Sequence, residues 1–465
     1  MCAVLALIGS AVFVGSAAAG TYTVTGCADP VTHEYTGGAD GWTPTGGLGV
    51  RTQSACGPRE SHVIDSTTSG SDIDGLFLDP ASSSLVASSD SAKWTFTSPG
   101  STNVVSYMLA MAGNTTGSTW QISLAALGSS AADRLASEAI CRGLTLGTRC
   151  ALADTAPIFG VPGGDPFAAP NTISGVPPAA TRGLELQLSC DANLFGPSSP
   201  CVALAPGTPG GRPYAELFGA KIGLADLTAP AIEDVSSKAG TVMDGSLLPS
   251  SIGSPASDPK SGVKTVKAAA SDLGAGVYTA DLSIDGNLIE HKIVDANGGK
   301  CADFDPDNSD DYEFVSAQPC RTAPTSVEFS IDTLTKITQR TGDGQHQVSV
   351  KFRDASGNVS ASTPAVNFIV ENNFSFSYPG GERHLETGKV ITPIAAETTH
   401  SSPVRFELAE GVTLPAGLSL DASTGAISGT PTVTALVDNY TVIMRNAPGY
   451  PERSASATVS ISVED

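Results

Sequence analysis

The stretch Leu414-Pro415-Ala416-Gly417-Leu418-Ser419-Leu420-Asp421, followed by Thr424-Gly425 and Ile427-Ser428-Gly429-Thr430-Pro431, decides how the end of this chain folds. Pro415 fixes φ, and Gly417 allows a backbone angle that other residues avoid. Leu418 and Leu420 alternate around Ser419, so two large apolar groups point to one face. Asp421 to Gly425 reads as a hairpin loop with glycine at the position that needs positive φ. The segment predicts a turn, a short strand, a tight turn and a second strand.

These residues resemble the signature of the bacterial "putative Ig" module, a cadherin-like β-sandwich found in tandem on secreted and surface proteins. The resemblance spans residues 370–465, which end in the alternation Ala457, Val459, Ile461, Val463. It implies an extracellular module and raises calcium binding as an expectation; it specifies no ligand. A weaker resemblance, to bacterial Ig-like repeats, covers residues 230–369. There Asp272-Leu273-Gly274-Ala275-Gly276-Val277 precedes the alternating Leu282 and Ile284. Val348, Val350 and Phe352 then lead into Asp354-Ala355-Ser356-Gly357-Asn358, an Asp-x-x-Gly-Asn turn after a last strand.

At 465 residues the chain exceeds one ordinary core and predicts three domains. Gly (50) and Pro (31) are abundant while aromatics make only 6%, which suits many short strands joined by turns. The fold class is therefore all-β: tandem β-sandwiches, an N-terminal jelly-roll-like domain followed by two Ig-like domains. The expected division is a signal peptide at 1–19, a large sandwich at 20–229, an Ig-like domain at 230–369 and the cadherin-like module at 370–465. In the first sandwich strands are expected at Gly75–Leu78, Lys93–Phe96, Val104–Ala110, Trp120–Leu124, Leu184–Ser189 and Ala215–Leu224. A short helix is expected at Ala131–Cys141, and surface loops at Pro162–Pro178 and Ser236–Lys264.

Residues 1–19 form an apolar run ending in Ala17-Ala18-Ala19, a small-residue cleavage site without the usual positive flank. The expectation is a secreted or cell-surface protein with no membrane insertion after cleavage. The formal net charge of −22 argues against nucleic-acid binding, because so acidic a surface repels phosphate. Expected partners are extracellular protein or polysaccharide.

Removing Cys2 with the signal leaves an even set of cysteines, which in an exported chain predicts disulfides. Pairing sequence neighbours gives Cys27–Cys56, Cys141–Cys150, Cys190–Cys201 and Cys301–Cys320, with other connectivities open. No spacing is the Cys-x-x-Cys of a zinc or redox site.

The candidate metal site is the acidic loop carrying Asp303, Asp305, Asp307, Asp310 and Asp311. Alternating carboxylates suit calcium, a hard cation that gathers several oxygens from one flexible segment. A second candidate for calcium is the linker Val370-Glu371-Asn372-Asn373, with Glu382 and Asp421 as distant helpers and positive Arg445 against it. No other cofactor is expected. Trp42, in Gly41-Trp42-Thr43-Pro44, reads as an exposed loop platform on which a sugar could stack, whereas Trp94 and Trp120 fall in apolar strands.

Catalysis finds little support. His33-Glu34 opens like a zinc-protease motif, but Gly37 stands where the second histidine belongs. Ser61-His62 and Asp65 hold triad residue types whose neighbours in an extended segment point apart. The sequence thus predicts a secreted, non-catalytic surface-adhesion or matrix-binding protein. Alternatives are a lectin-like protein acting through 20–229 and an accessory part of a secreted hydrolase.

Overall fold

The computed structural model describes residues 20–47, 50–54, 56, 76–80, 85–87, 90–114, 120–129, 134–139, 167, 172–190, 201–202, 213–235, 240–249, 259–305, 312–400, 403–448 and 452–465. Almost every regular element among them is a strand. Large apolar residues at alternate positions explain why. Leu184, Leu186 and Leu188 of the strand Gly183–Cys190 are buried, and Leu184 and Leu186 sit opposite Phe96 and Trp94. Each such side chain contributes about 1.5–3 kcal/mol by leaving water.

The first sandwich faces one sheet (Trp42–Thr45, Ser91–Thr97, Gly183–Cys190, Trp120–Leu127, Arg134–Ala139) against another. The second sheet is built on Asn103–Asn114, Tyr214–Ala225 and Thr21–Gly26. All six expected strands of this part are present. The expected helix is not: Arg134–Ala139 is a strand paired with Trp120–Leu127. The spacing of Leu135, Ala139 and Ile140 suggested one face of a helix, but a neighbouring strand edge offers the backbone a ladder, and tertiary pairing overrides weak local preference. Thr172–Gly175 also forms a strand, on the edge beside Asn103–Asn114, where a loop was expected.

The second sandwich packs Val263–Ser271 and Thr325–Asp332 against Val277–Ile284, Gly344–Asp354 and Val366–Val370. Val348, Val350 and Phe352 are all fully buried, as their alternation requires. Part of the expected loop 236–264 is packed instead: Met243 and Leu247 enter this core.

The third sandwich contains the opening motif. Leu418–Leu420 and Ile427–Gly429 form the hairpin, with Leu420 opposite Ile427. Gly417 has φ 93°, and a Cβ there would stand 1.9 Å from the carbonyl oxygen of Thr430, so only glycine fits. Asp421 accepts the N–H groups of Ser423 and Thr424. Hydrogen bonding to its charged form pushes its pKa down to about 2.

The first two sandwiches interlock. Glu313–Phe314 leaves the second and pairs in parallel with Thr21–Gly26 of the first. Phe314 is fully buried and meets Tyr22 and Tyr278 edge-on. Lys221 reaches both Asp29, at 3.0 Å, and Glu313, at 2.8 Å.

Disulfides join Cys27 to Cys56, Cys190 to Cys201, and Cys301 to Cys320. The expected fourth pair, Cys141 with Cys150, lies outside the described residues, as do the signal segment 1–19 and Ser61, His62 and Asp65. Among the described residues no helix is long and apolar enough to cross a membrane.

Candidate metal centre

Three strands end at the junction of the first two sandwiches, and an aspartate closes each. Asp226 follows Tyr214–Ala225, Asp272 follows Val263–Ser271, and Asp354 ends Gly344–Asp354. All three are buried. One oxygen from each lies within 4.8 Å of the others.

Each carboxylate also builds its own turn. Asp226 Oδ1 accepts the N–H and hydroxyl of Thr228, and its Oδ2 accepts the N–H of Ala275 at 2.7 Å. Asp272 Oδ2 accepts the N–H groups of Gly274 and Gly276, drawing the Asp-x-Gly-x-Gly segment into a tight loop. Asp354 Oδ1 accepts the N–H groups of Ser356 and Asn358 and the Ser356 hydroxyl. Asn358 then donates to the carbonyls of Asp226 and Thr228, tying one sandwich to the next. Glycine is obligatory at 274: a Cβ there would lie 1.9 Å from Asp226 Oδ2.

After these turns are made, Asp272 Oδ1 and Asp354 Oδ2 have no hydrogen-bond partner and are buried. Among the described residues no Lys or Arg pairs with any of the three aspartates. Buried polar atoms without partners are rare and need a reason. Burial pushes the Asp354 carboxyl up to about 6. Burial, then the charge of Asp226, raises Asp272. Burial also raises the Tyr22 hydroxyl, with the three aspartates adding to the effect, while its proton bonds the carbonyl of Ala317. The donor set is oxygen only, buried and anionic, which suits a hard divalent cation rather than zinc or copper.

The sequence pointed elsewhere. Of the acidic loop, Asp303 and Asp305 are described and half-buried, while Asp307, Asp310 and Asp311 lie outside the described residues. At the linker, Glu371 is fully buried and Arg453 reaches its Oε2 at 2.9 Å. Arg445, expected to oppose a cation there, pairs with Glu407 instead. Trp42 is no surface platform: it is 7% exposed, lies in the strand Trp42–Thr45 and packs on Phe96. Its flanking Gly and Pro suggested a loop, but Trp42–Thr45 pairs with Ser91–Thr97 at the sheet edge, where proline is tolerated. Trp94 and Trp120 are buried as expected.

Residues 358–464 match the family model described as "Putative Ig domain". The match begins at Asn358, inside the turn that Asp354 organises, and takes in the strand Val366–Val370. No curated protein matches the chain. Among solved structures, the chain is similar to mouse clustered PcdhgC3 EC1-3, with 10% identity and a TM-score of 0.25 over 44% of this chain and 63% of that one. It is similar to human CDH23 EC21-23, with 16% identity and a TM-score of 0.22 over 41% and 58%. Drosophila OTK extracellular domains 3-5 give 16% identity and 0.22 over 50% and 67%. The chain spans less than two thirds of the length of the first two. Fold and family match together define a chain of several β-sandwiches that carry disulfides, with an Ig-like module at residues 358–464.

Proposed function

We propose that this chain is an exported, non-catalytic protein of the adhesion or matrix-binding class. A calcium ion at Asp226, Asp272 and Asp354 fixes its first two sandwiches in one arrangement. Its partners are extracellular protein or polysaccharide.

One observation carries the calcium reading: three buried carboxylates converge, two of them keep a buried oxygen without a hydrogen bond, and no Lys or Arg among the described residues pairs with them. Three negative charges this close repel strongly wherever water is excluded, and leaving them bare costs stability. A calcium ion takes six to eight oxygens in loose geometry, so three aspartates with nearby carbonyls and water can satisfy it. Magnesium demands tighter octahedral packing and gives up its own water reluctantly. The junction position supports a mechanical role. The ligands come from both sandwiches, so binding energy is available only when the two are docked. Tandem modules, a strongly acidic surface and disulfides support extracellular placement.

Thermal unfolding tests this. Millimolar calcium should raise the melting temperature of the chelator-treated chain, following the ligand-linkage relation. The double variant Asp272→Asn, Asp354→Asn should show no such rise. An equal rise in parent and variant would reject the site.

A further inference from the structure

Beyond the metal centre, one basic side chain is held in a setting suited to covalent chemistry. Lys221 projects from Tyr214–Ala225 opposite Thr25, on the face away from the main core. Its Nζ stands 3.0 Å from Asp29 Oδ2 and 2.8 Å from Glu313 Oε2. Both carboxylates are 2% exposed, and Lys221 is 24% exposed. Asp29 follows the strand Thr21–Gly26, where Cys27 takes a positive φ and is pinned by its disulfide. Glu313 arrives from the second sandwich, beside Thr23.

The two carboxyls differ in surroundings. Asp29 Oδ1 accepts the N–H groups of Val31, at 2.6 Å, and Thr32, at 3.1 Å. Two backbone donors on one oxygen are what an oxyanion at that carbon needs. Glu313 has Lys221 on one oxygen and the Thr25 hydroxyl on the other. Burial raises its carboxyl above the usual range despite these partners, so it holds a proton more readily than Asp29 does. Burial works against the charge on Asp29 too, but Lys221 and the two N–H groups hold that carboxyl low.

We propose that the chain cross-links itself here: Lys221 Nζ condenses with Asp29 Cγ to form an amide, Glu313 relays the protons, and one water leaves. Nζ is already held 3.0 Å from an oxygen of the carboxylate it attacks, which replaces a high concentration of free amine. Glu313 moves one proton from the Lys221 ammonium to Asp29. The site's net charge is unchanged, and a neutral amine now faces a neutral acid. The amine lone pair attacks Cγ, and the N–C bond forms. The oxygen facing the Val31 and Thr32 N–H groups takes the negative charge of the tetrahedral intermediate. The C–O bond to the other oxygen then breaks, and Glu313 passes a second proton from nitrogen to that leaving oxygen. No oxidant or further reactant is consumed. The product ties the end of Thr21–Gly26 covalently to Tyr214–Ala225, and it forms only once the second sandwich has delivered Glu313.

Intact mass spectrometry decides the matter. The full chain, purified folded and then unfolded with its disulfides reduced, should be one water lighter than its N-terminally sequenced form predicts. Digestion should yield a linked pair of peptides carrying Asp29 and Lys221. Lys221→Arg and Glu313→Gln should each keep the full mass of their sequences. A parent chain at full mass, with circular dichroism showing it folded, overturns the proposal. A water deficit that persists in Lys221→Arg overturns it equally, and one that persists in Glu313→Gln overturns the relay.

Discussion

Arg453 Nη1 lies 2.9 Å from Oε2 of Glu371, a fully buried side chain, and also donates to the Glu371 carbonyl. The guanidinium stacks over Phe374, 4.9 Å from the ring centre. The second joint of the chain therefore carries its own cation. The first joint gathers Asp226, Asp272 and Asp354 with no Lys or Arg among the described residues. The two joints place opposite demands on solution conditions.

Arg453→Met should loosen the second joint by removing one charged partner from the buried Glu371. Losing one hydrogen bond to a buried charged group costs about 1.5–3 kcal/mol. The loss should show as a lower melting temperature for the third sandwich. If Arg453 alone serves Glu371 as its cation here, chelator should not change its size.

The metal-free first joint should grow less stable as pH rises. Asp354 titrates near 6 when folded, above its ordinary 3.8, so the folded state binds more protons between those values. By linkage, the stability it contributes is fully present below the unfolded value and is lost as pH climbs through the folded one. Asp272 is shifted the same way. Calorimetry in chelator should give a higher melting temperature at about pH 5 than at about pH 7, and Asp354→Asn should flatten that difference. Asp421, held low, acts in the opposite sense, but only in stronger acid.

Gly274→Ala should injure the metal centre without touching a carboxylate. Its Cβ would lie 1.9 Å from Asp226 Oδ2, so either the loop or the aspartate must move. Overpacking of this kind costs about 1–3 kcal/mol. Calcium-induced stabilisation should fall along with overall stability. Retained calcium stabilisation would mean that Asp226 is not a ligand.

Removing the Cys301–Cys320 bridge by paired serine substitutions should release the segment that carries Glu313 and Phe314. The bridge closes a separation of 19 residues, worth about 3 kcal/mol through the unfolded state. Denaturant titration under oxidising conditions measures the loss. Proteolysis near Phe314 should accelerate with it.

The sandwiches were legible because one physical rule, alternation on a half-buried strand, wrote them. Val348, Val350 and Phe352, or Leu418 and Leu420, are read directly. The Asp354 turn was legible as a turn from Gly357 and Asn358 after it, whereas the Asp272 segment was legible only as part of the Ig-like pattern. Their convergence with Asp226 was not. Asp226 stands alone between Ala225 and Leu227, and only the docking of two sandwiches brings three distant strand ends to one point. A usable signal was present: an aspartate at or just past the end of a strand, three times. The strand Glu313–Phe314 was invisible for a related reason, because two residues carry no period. Trp42 misled because a short edge strand flanked by Gly and Pro has the composition of a loop.

Calorimetric titration of calcium into the chelator-stripped chain tests the central claim most directly. Heat for a site with one-to-one stoichiometry, abolished by Asp272→Asn with Asp354→Asn, is the predicted result. No heat at millimolar calcium, or unchanged heat in the double variant, would contradict it.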